Sequence, residues 1–195
     1  IKTNTTVDKK MFDSLLKGDE YKATFIATGA PANRKLRIEG EDLPGVLSAL
    51  ELLRRYNLQR KTTVGKKVIV IGGGNVAMDA ARTALRSGAE SVQLFCLESR
   101  KEMPGHEWEI EDAAREGVVL NPSWGPRKMA GDGKKVTGVE FVRCASVFDD
   151  KGKFNPSFDE STTKNVEADT VICAIGQSTD FSFMGKVITV VRGAI

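Results

Sequence analysis

Twenty-nine lysines and arginines against 26 aspartates and glutamates leave a formal net charge of +3 on 195 residues, of which 41% are hydrophobic and 28% charged. So even a balance, with no basic stripe, argues against a nucleic-acid surface. The length suits one large or two small domains with a real core, and the composition is not that of a disordered, fibrous or disulfide-bonded chain.

No apolar run reaches the roughly 18–20 residues that span a bilayer, and no signal-peptide pattern opens the chain. The expected setting is cytoplasmic, without membrane contact. Cys96, Cys144 and Cys173 are far apart and form no Cys-x-x-Cys spacing. They are expected to be reduced thiols, with neither a metal site nor a redox disulfide. The chain starts at Ile1 and ends at Ile195 just after a β-like run, so both ends are expected to lie inside a longer protein.

In chain order, residues 21–27 (Tyr-Lys-Ala-Thr-Phe-Ile-Ala) predict a short buried strand ending at the Thr28-Gly29-Ala30-Pro31 turn. Pro44-Gly45 opens an amphipathic helix over 46–55, because apolar residues recur there at three and four positions. A basic link over 59–63 follows. Lys67-Val68-Ile69-Val70-Ile71 is a β-branched run suited to a parallel strand covered on both faces. After Gly72-Gly73-Gly74-Asn75 the pattern predicts a helix over about 76–87, stopped by Gly88, and then a strand over 91–97. Strand, helix and strand within about thirty residues make a βαβ unit.

The Met103-Pro104-Gly105 loop leads to a second helix over about 106–116, ended by Gly117, and to a short strand at 118–120. Residues 128–130, 136–148 and 165–168 read as antiparallel strands, with a tight turn at Gly131-Asp132-Gly133. Residues 170–175 return as a buried apolar strand ending at Gly176. The expected fold is α/β: a Rossmann-like three-layer domain with an antiparallel β crossover.

Gly72-x-Gly74-x-x-Ala77 is a Gly-x-Gly-x-x-Ala fingerprint in its required place, directly after a strand and opening a helix. The first glycine permits the sharp turn. The second lets a pyrophosphate approach the backbone, and the small third residue lets helix and strand pack closely. The helix N-terminus offers free N–H groups, here from Gly73, Gly74, Asn75 and Val76, and partial positive charge to phosphates. Glu98 ends the next strand about twenty residues beyond Ala77, where a carboxylate accepts hydrogen bonds from adenosine ribose hydroxyls. Ser99 and Arg100 follow it at the same edge. A nucleoside ligand such as S-adenosylmethionine, or a glycine turn with no ligand, is the competing reading.

From Val68 to Arg82, through Gly72-Gly73-Gly74-Asn75-Val76-Ala77-Met78-Asp79, the sequence resembles the small subunit of glutamate synthase and its relatives. These include the flavin half of dihydropyrimidine dehydrogenase and similar pyridine-nucleotide oxidoreductases. Three further stretches agree with the family in order: Ala27-Thr28-Gly29 with residues 38–46, Arg100-Lys101-Glu102-Met103-Pro104-Gly105, and residues 168–177. The resemblance implies an NAD(P)H domain inserted into a discontinuous FAD domain. Residues 1–57 would be a partial FAD-domain segment with its connecting helix. Residues 58–176 would be the NAD(P)H-binding domain, and 177–195 a return segment. Hydride would pass from nicotinamide to flavin, and electrons onward, often through iron–sulfur clusters.

Neither the family's FAD fingerprint nor its cysteine-rich iron–sulfur region occurs in these 195 residues. The implied partners are therefore the rest of the FAD domain and an iron–sulfur domain or subunit, with a homo-oligomer left open. Without FAD these residues alone should not turn over. The resemblance also implies cofactor contacts at Thr28, Gly29, Ile175, Gly176 and Gln177, with ordinary tight turns as the alternative. Asp79 would lie near the nicotinamide, or be a first-turn acid that stabilises the helix dipole.

Many relatives that use NADPH carry an Arg-Arg pair where this chain has Leu97-Glu98. Arginines there would hold a 2′-phosphate, and Glu98 would repel it. About 2 kcal/mol of repulsion is roughly thirtyfold in affinity, so NAD(H) is expected over NADP(H), although Arg100 could reach a phosphate. No catalytic acid, base or nucleophile is assigned, because hydride transfer to flavin needs two rings held in the right geometry. A self-contained dehydrogenase or a non-catalytic binding module are the alternatives. Neither Tyr21 nor Tyr56 has a lysine four positions on, which disfavours the first. His106, the only histidine, lacks a nucleophile partner. Glu107, Glu109, Glu111 and Asp112 read as a solvated helix face.

Overall fold

The computed structural model describes residues 1–18, 20–59 and 62–185. In chain order the elements are α1 (Lys9–Lys17), β1 (Ala32–Asn33), β2 (Val46–Ser48), α2 (Ala49–Gln59), β3 (Lys67–Ile71), α3 (Asn75–Arg86) and β4 (Ser91–Cys96). They continue with α4 (Glu107–Arg115), β5 (Val119–Pro122), β6 (Trp124–Gly131), β7 (Val136–Phe148), β8 (Phe154–Glu167), β9 (Thr170–Cys173) and β10 (Gln177–Ser178). A single 3-10 turn spans Ser182–Met184. Residues 35–175 form one unit, and residues 1–34 with the described residues from 176 onward form another. The segment 35–57 thus belongs with the larger unit. Part of the basic link, at 60 and 61, and the β-like run at 190–195 lie outside the described residues.

In the larger unit, five parallel strands are ordered β2-β9-β3-β4-β5. Side chains alternate across this sheet, as the two-residue period of a strand requires. Val68, Val70, Val92, Leu94 and Ile172 face one way, into a core closed by α2, α3 and α4. Ile69, Ile71, Phe95 and Val171 face the other way, into a second core with Met129, Val136, Val139 and Phe141. That second layer is the antiparallel sheet β6-β7-β8, inserted between β5 and β9. The α/β fold, with its antiparallel crossover, is present as expected. The sheet is covered on both faces, so β3 reads as a continuous apolar run.

The helix α3 touches the sheet through small residues: Ala77, Ala80, Ala81 and Ala84 are all fully buried. The crossover layer is held by Phe95 of β4 stacked on Phe141 of β7, centroids 3.9 Å apart and planes 13° from parallel. At the opening end of the sheet Asp169 fastens two strands. Its carboxylate accepts the N–H groups of Lys66 and Lys67, both at 3.1 Å, while the Thr170 hydroxyl accepts the Gly65 N–H at 2.9 Å.

In the smaller unit, α1 is capped by Asp8, whose carboxylate accepts the Met11 N–H at 2.8 Å. Phe12 is buried edge-on against Phe183, and β1 pairs with β10 antiparallel. Sequence reasoning missed this helix. Its signals were present: an Asp cap, apolar residues at 12, 15 and 16, and Lys17 in the last turn.

Three expectations need correction. The strand expected at 21–27 does not form, and Phe25 is 92% exposed. An extended segment becomes a strand only with a neighbour to hydrogen-bond, and no described strand pairs with it. The helix expected from Val46 begins at Ala49. Val46, Leu47 and Ser48 instead pair in parallel with Val171, Ile172 and Cys173, tertiary pairing overriding the helical period. The last antiparallel strand begins at Phe154, well before 165, because its exposed face carries too few apolar residues to show an alternation. Among the described residues no helix is long and apolar enough to cross a membrane.

Truncating Phe141 to alanine should remove the stack on Phe95 and leave a cavity between the layers. A loss of about 3–5 kcal/mol is expected in urea unfolding. A loss below about 1 kcal/mol would show that the two layers are held by other contacts.

Candidate functional site

The carboxyl edge of the parallel sheet is where chemistry can be built in such a fold. Here β3 ends at Ile71 and the chain turns sharply at Gly72, whose φ is +138°. Its N–H donates to Phe95 O at 2.8 Å. A Cβ on Gly72 would lie 2.3 Å from the carbonyl oxygen of Ala174, just beyond β9. Only glycine lets β3 turn while β9 passes this close. Ile175 follows Ala174 at this same edge.

The helix α3 begins at Gly74 in ordinary extended backbone, φ −90° and ψ 176°. No side chain caps it, and a Cβ there would meet nothing within 4 Å. The N–H groups of Ala77 and Met78 turn back to Gly74 O, at 2.9 and 3.2 Å. An uncapped helix start facing open space, with its donors and its dipole pointing outward, can hold a pyrophosphate. Ala77 is fully buried beneath it. Val76 is part-buried and packs against the helix-side core.

Gly73 has a different surrounding. A Cβ there would come within 3.0 Å of Glu98 Oε2, 3.1 Å of Cys96 Cβ and 3.3 Å of Pro104 Cδ. The Glu98 carboxylate therefore lies beside the glycine turn, as the sequence reading required. Its backbone is fixed: Glu98 O accepts the N–H of Ser123, a residue with φ +63°, at 2.8 Å. Asn75 has an additional task that the sequence did not reveal. Its Oδ1 accepts the His106 N–H at 2.8 Å, while Gly105 N–H donates to Gly73 O at 3.1 Å. The 103–106 loop is thus stitched onto the turn.

In the loop after β4, Ser99 donates its hydroxyl to Glu102 at 2.6 Å. Arg100 forks onto Glu107, with Nη1 at 3.0 Å from Oε2. The Glu107 carboxylate raises the Arg100 pKa further, and Arg100 in turn lowers that of Glu107. Three of the four acids of α4 are therefore ion-paired and not simply solvated. Besides Glu107 with Arg100, Glu111 and Asp112 pair with Arg115. Asp79 is exposed and sits one residue past the first turn of α3, so it is not a first-turn acid. Thr28, Gly29, Gly176 and Gln177 belong to the smaller unit. There Thr28 and Gly29 lie in exposed backbone outside any strand, and Gln177 pairs with Asn33 in the β1–β10 ladder.

A family model for the pyridine nucleotide-disulphide oxidoreductases matches residues 2–189. The chain belongs to that family. It is 42% identical over 170 residues to the NADPH-Fe(3+) oxidoreductase subunit beta of Geobacter sulfurreducens, covering 85% of this chain and 25% of that protein. It is 39% identical over 200 residues to the NADP(+)-dependent formate dehydrogenase subunit beta of Moorella thermoacetica, covering 100% of this chain and 28% of that one. The glutamate synthase [NADPH] small chain of Azospirillum brasilense is 35% identical over 170 residues, covering 80% and 35%. The resemblance read from the motifs is thus confirmed, and the chain spans about a quarter to a third of these relatives. Among solved structures, FprA of Mycobacterium tuberculosis in complex with NADPH shares the fold, with a TM-score of 0.65, 21% identity, and 80% of this chain against 50% of that one.

The three cysteines lie on β4, β7 and β9, and burial pushes the thiols of Cys96 and Cys173 up to about 12. At pH 8 only about one in ten thousand of either is thiolate. A thiol reagent should therefore leave both unmodified in the folded chain and label them on unfolding. Fast native labelling of Cys96, which is buried, would show that its strand opens. At the turn itself, Gly72→Ala should cost about 2–4 kcal/mol in thermal or urea unfolding, from the forced approach to Ala174 and the left-handed backbone.

Proposed function

We propose that this chain binds NAD(P)H on the turn from Gly72 to Ala77 and serves as the electron-input segment of a flavin-dependent oxidoreductase. The observation that carries this reading is the uncapped start of α3 at Gly74, open to solvent, with Glu98 beside it. The pyrophosphate would lie on the N–H groups at the head of α3, and Glu98 would accept from the adenosine ribose. When bound, the nicotinamide supplies a hydride whose proposed acceptor is FAD. This chain's residues bind and orient, and no side chain among them is assigned a proton to move.

Residues 58–176 are proposed as the NAD(P)H domain, with 1–57 and 177–195 contributed to a discontinuous FAD domain. Support comes from the grouping of the chain's two ends: residues 1–34 and those from 176 onward form one unit while 35–175 form the other. An inserted domain leaves that arrangement in its host, although the division at 34 falls earlier than the motif-based boundary. Thr28, Gly29, Ile175, Gly176 and Gln177 are proposed to contact the cofactors. Asp79 is the proposed neighbour of the nicotinamide side. Electrons would then leave to an iron–sulfur domain or subunit. The relatives support this in being named as subunits three to four times longer than their matched portion.

For cofactor choice we propose NADH over NADPH. Glu98 stands beside the glycine turn, where on this reading it would accept from the 2′-hydroxyl, and a carboxylate there would repel a 2′-phosphate. The names of the relatives point the other way, toward NADPH. Calorimetric titration with each nucleotide decides between them. Tighter NADH binding, reversed in Glu98→Arg, is the expected result. Tighter NADPH binding by the wild type would overturn the role given to Glu98. Gly74→Ala should fold normally, since its φ is ordinary and its Cβ meets nothing, yet lose at least about tenfold in affinity for both nucleotides. Unchanged binding in that variant would remove the pyrophosphate from this turn.

A further inference from the structure

Where β4 ends, the chain presents two donors suited to an anion, Ser99 and Arg100, and both are already taken by carboxylates of the same chain. Ser99 gives its hydroxyl and its backbone N–H to Glu102, at 2.6 and 3.2 Å. Arg100 gives two guanidinium nitrogens to the two oxygens of Glu107. A fork of this kind is the geometry in which arginine holds a phosphate. Glu107 is not placed there by chance of rotamer alone. It is the first residue of α4, and the two residues before it are tied to the glycine turn through Gly105 N–H to Gly73 O and His106 N–H to Asn75 Oδ1.

We propose that Glu107, assisted by Glu102, determines nucleotide specificity by occupying the donors that a 2′-phosphate would need. This rests on the reading that the Gly72–Ala77 turn binds a dinucleotide, and it extends that reading beyond Glu98. A phosphate dianion must displace two carboxylates to reach Ser99 and Arg100, whereas a ribose 2′-hydroxyl displaces neither. Both side chains of the Arg100–Glu107 pair keep solvent contact, 39% and 65% exposed. A solvated pair is weak enough to be exchanged, so a single substitution should move the preference. Glu111 adds negative charge at Arg100, and Lys101 is exposed in the same loop.

The test is calorimetry of the full chain with NADH and NADPH separately, for wild type, Glu107→Gln, Glu107→Gln with Arg100→Gln, and Glu107→Gln with Lys101→Gln. Freed of its partner, Arg100 should raise NADPH affinity about tenfold in Glu107→Gln while NADH affinity stays nearly constant. Removing Arg100 should abolish that gain, and removing Lys101 should leave it. A gain that survives loss of Arg100 would mean simple relief of negative charge and overturn the proposal. So would an unchanged NADPH-to-NADH ratio in Glu107→Gln when the wild type binds. If the folded wild type binds neither nucleotide, the dinucleotide reading itself fails and this proposal falls with it.

Discussion

One close approach organises the larger unit: the backbone of Gly72 against the carbonyl of Ala174. A parallel sheet covered on both faces has its strand ends near one another, and the chain must leave β3 by turning sharply between its neighbours. Any side chain at Gly72 would push β9 away, and β9 lies between β2 and β3. The Gly72 N–H reaches Phe95 O on the other side, so the turn is clamped between β9 and β4. From that fixed point α3 starts uncapped, and its buried alanines let it lie flat on the sheet. The open helix start is therefore a consequence of packing, whatever it binds.

Much of this was legible because it is periodic or because it is glycine. The run Val68-Ile69-Val70-Ile71 states that both faces are covered, and the structure divides it between the two cores, Val68 and Val70 to the helices, Ile69 and Ile71 to the crossover. The elements that were misread are those whose state is set by a distant partner. Val46-Leu47-Ser48 has a helical period, yet it completes the sheet because β9 offers an unpaired edge. Residues 21–27 have a strand's composition but, among the described residues, no strand beside them. Propensity describes what a segment prefers, while pairing is decided by sequence more than a hundred residues away.

The site divides along the same line. Gly72, Gly74, Ala77 and Glu98 were placed by spacing alone: the turn, the helix start, the buried small residue and the carboxylate beside the turn are found at those positions. Gly73, Asn75 and the 103–107 loop could not be read, because their roles are mutual. Gly73 is small to admit Glu98 and Pro104, and Asn75 is amidic to accept His106 N–H. The acidic run at 107–112 looked like a solvated face because charge on a helix usually is. Arg82, Arg100 and Arg115, which pair with it, lie 3 to 30 positions away in sequence.

These internal pairings give the edge beyond β4 a consistent electrostatic character. Glu98 stands at the turn, and Glu102 and Glu107 satisfy the nearest hydroxyl and guanidinium. The α3 start, by contrast, keeps its donors and dipole unmatched by any side chain. A dinucleotide carries its obligatory charge on the pyrophosphate and, in one form only, further charge on the ribose. If the helix start takes the pyrophosphate, as proposed, a loop that closes its other donors from within would separate the two forms without a dedicated pocket. On the proposed reading, that separation would be set by exchangeable, solvated carboxylate pairs and not by buried ones, so a change of one or two residues in this loop would reverse it while the fold stays the same.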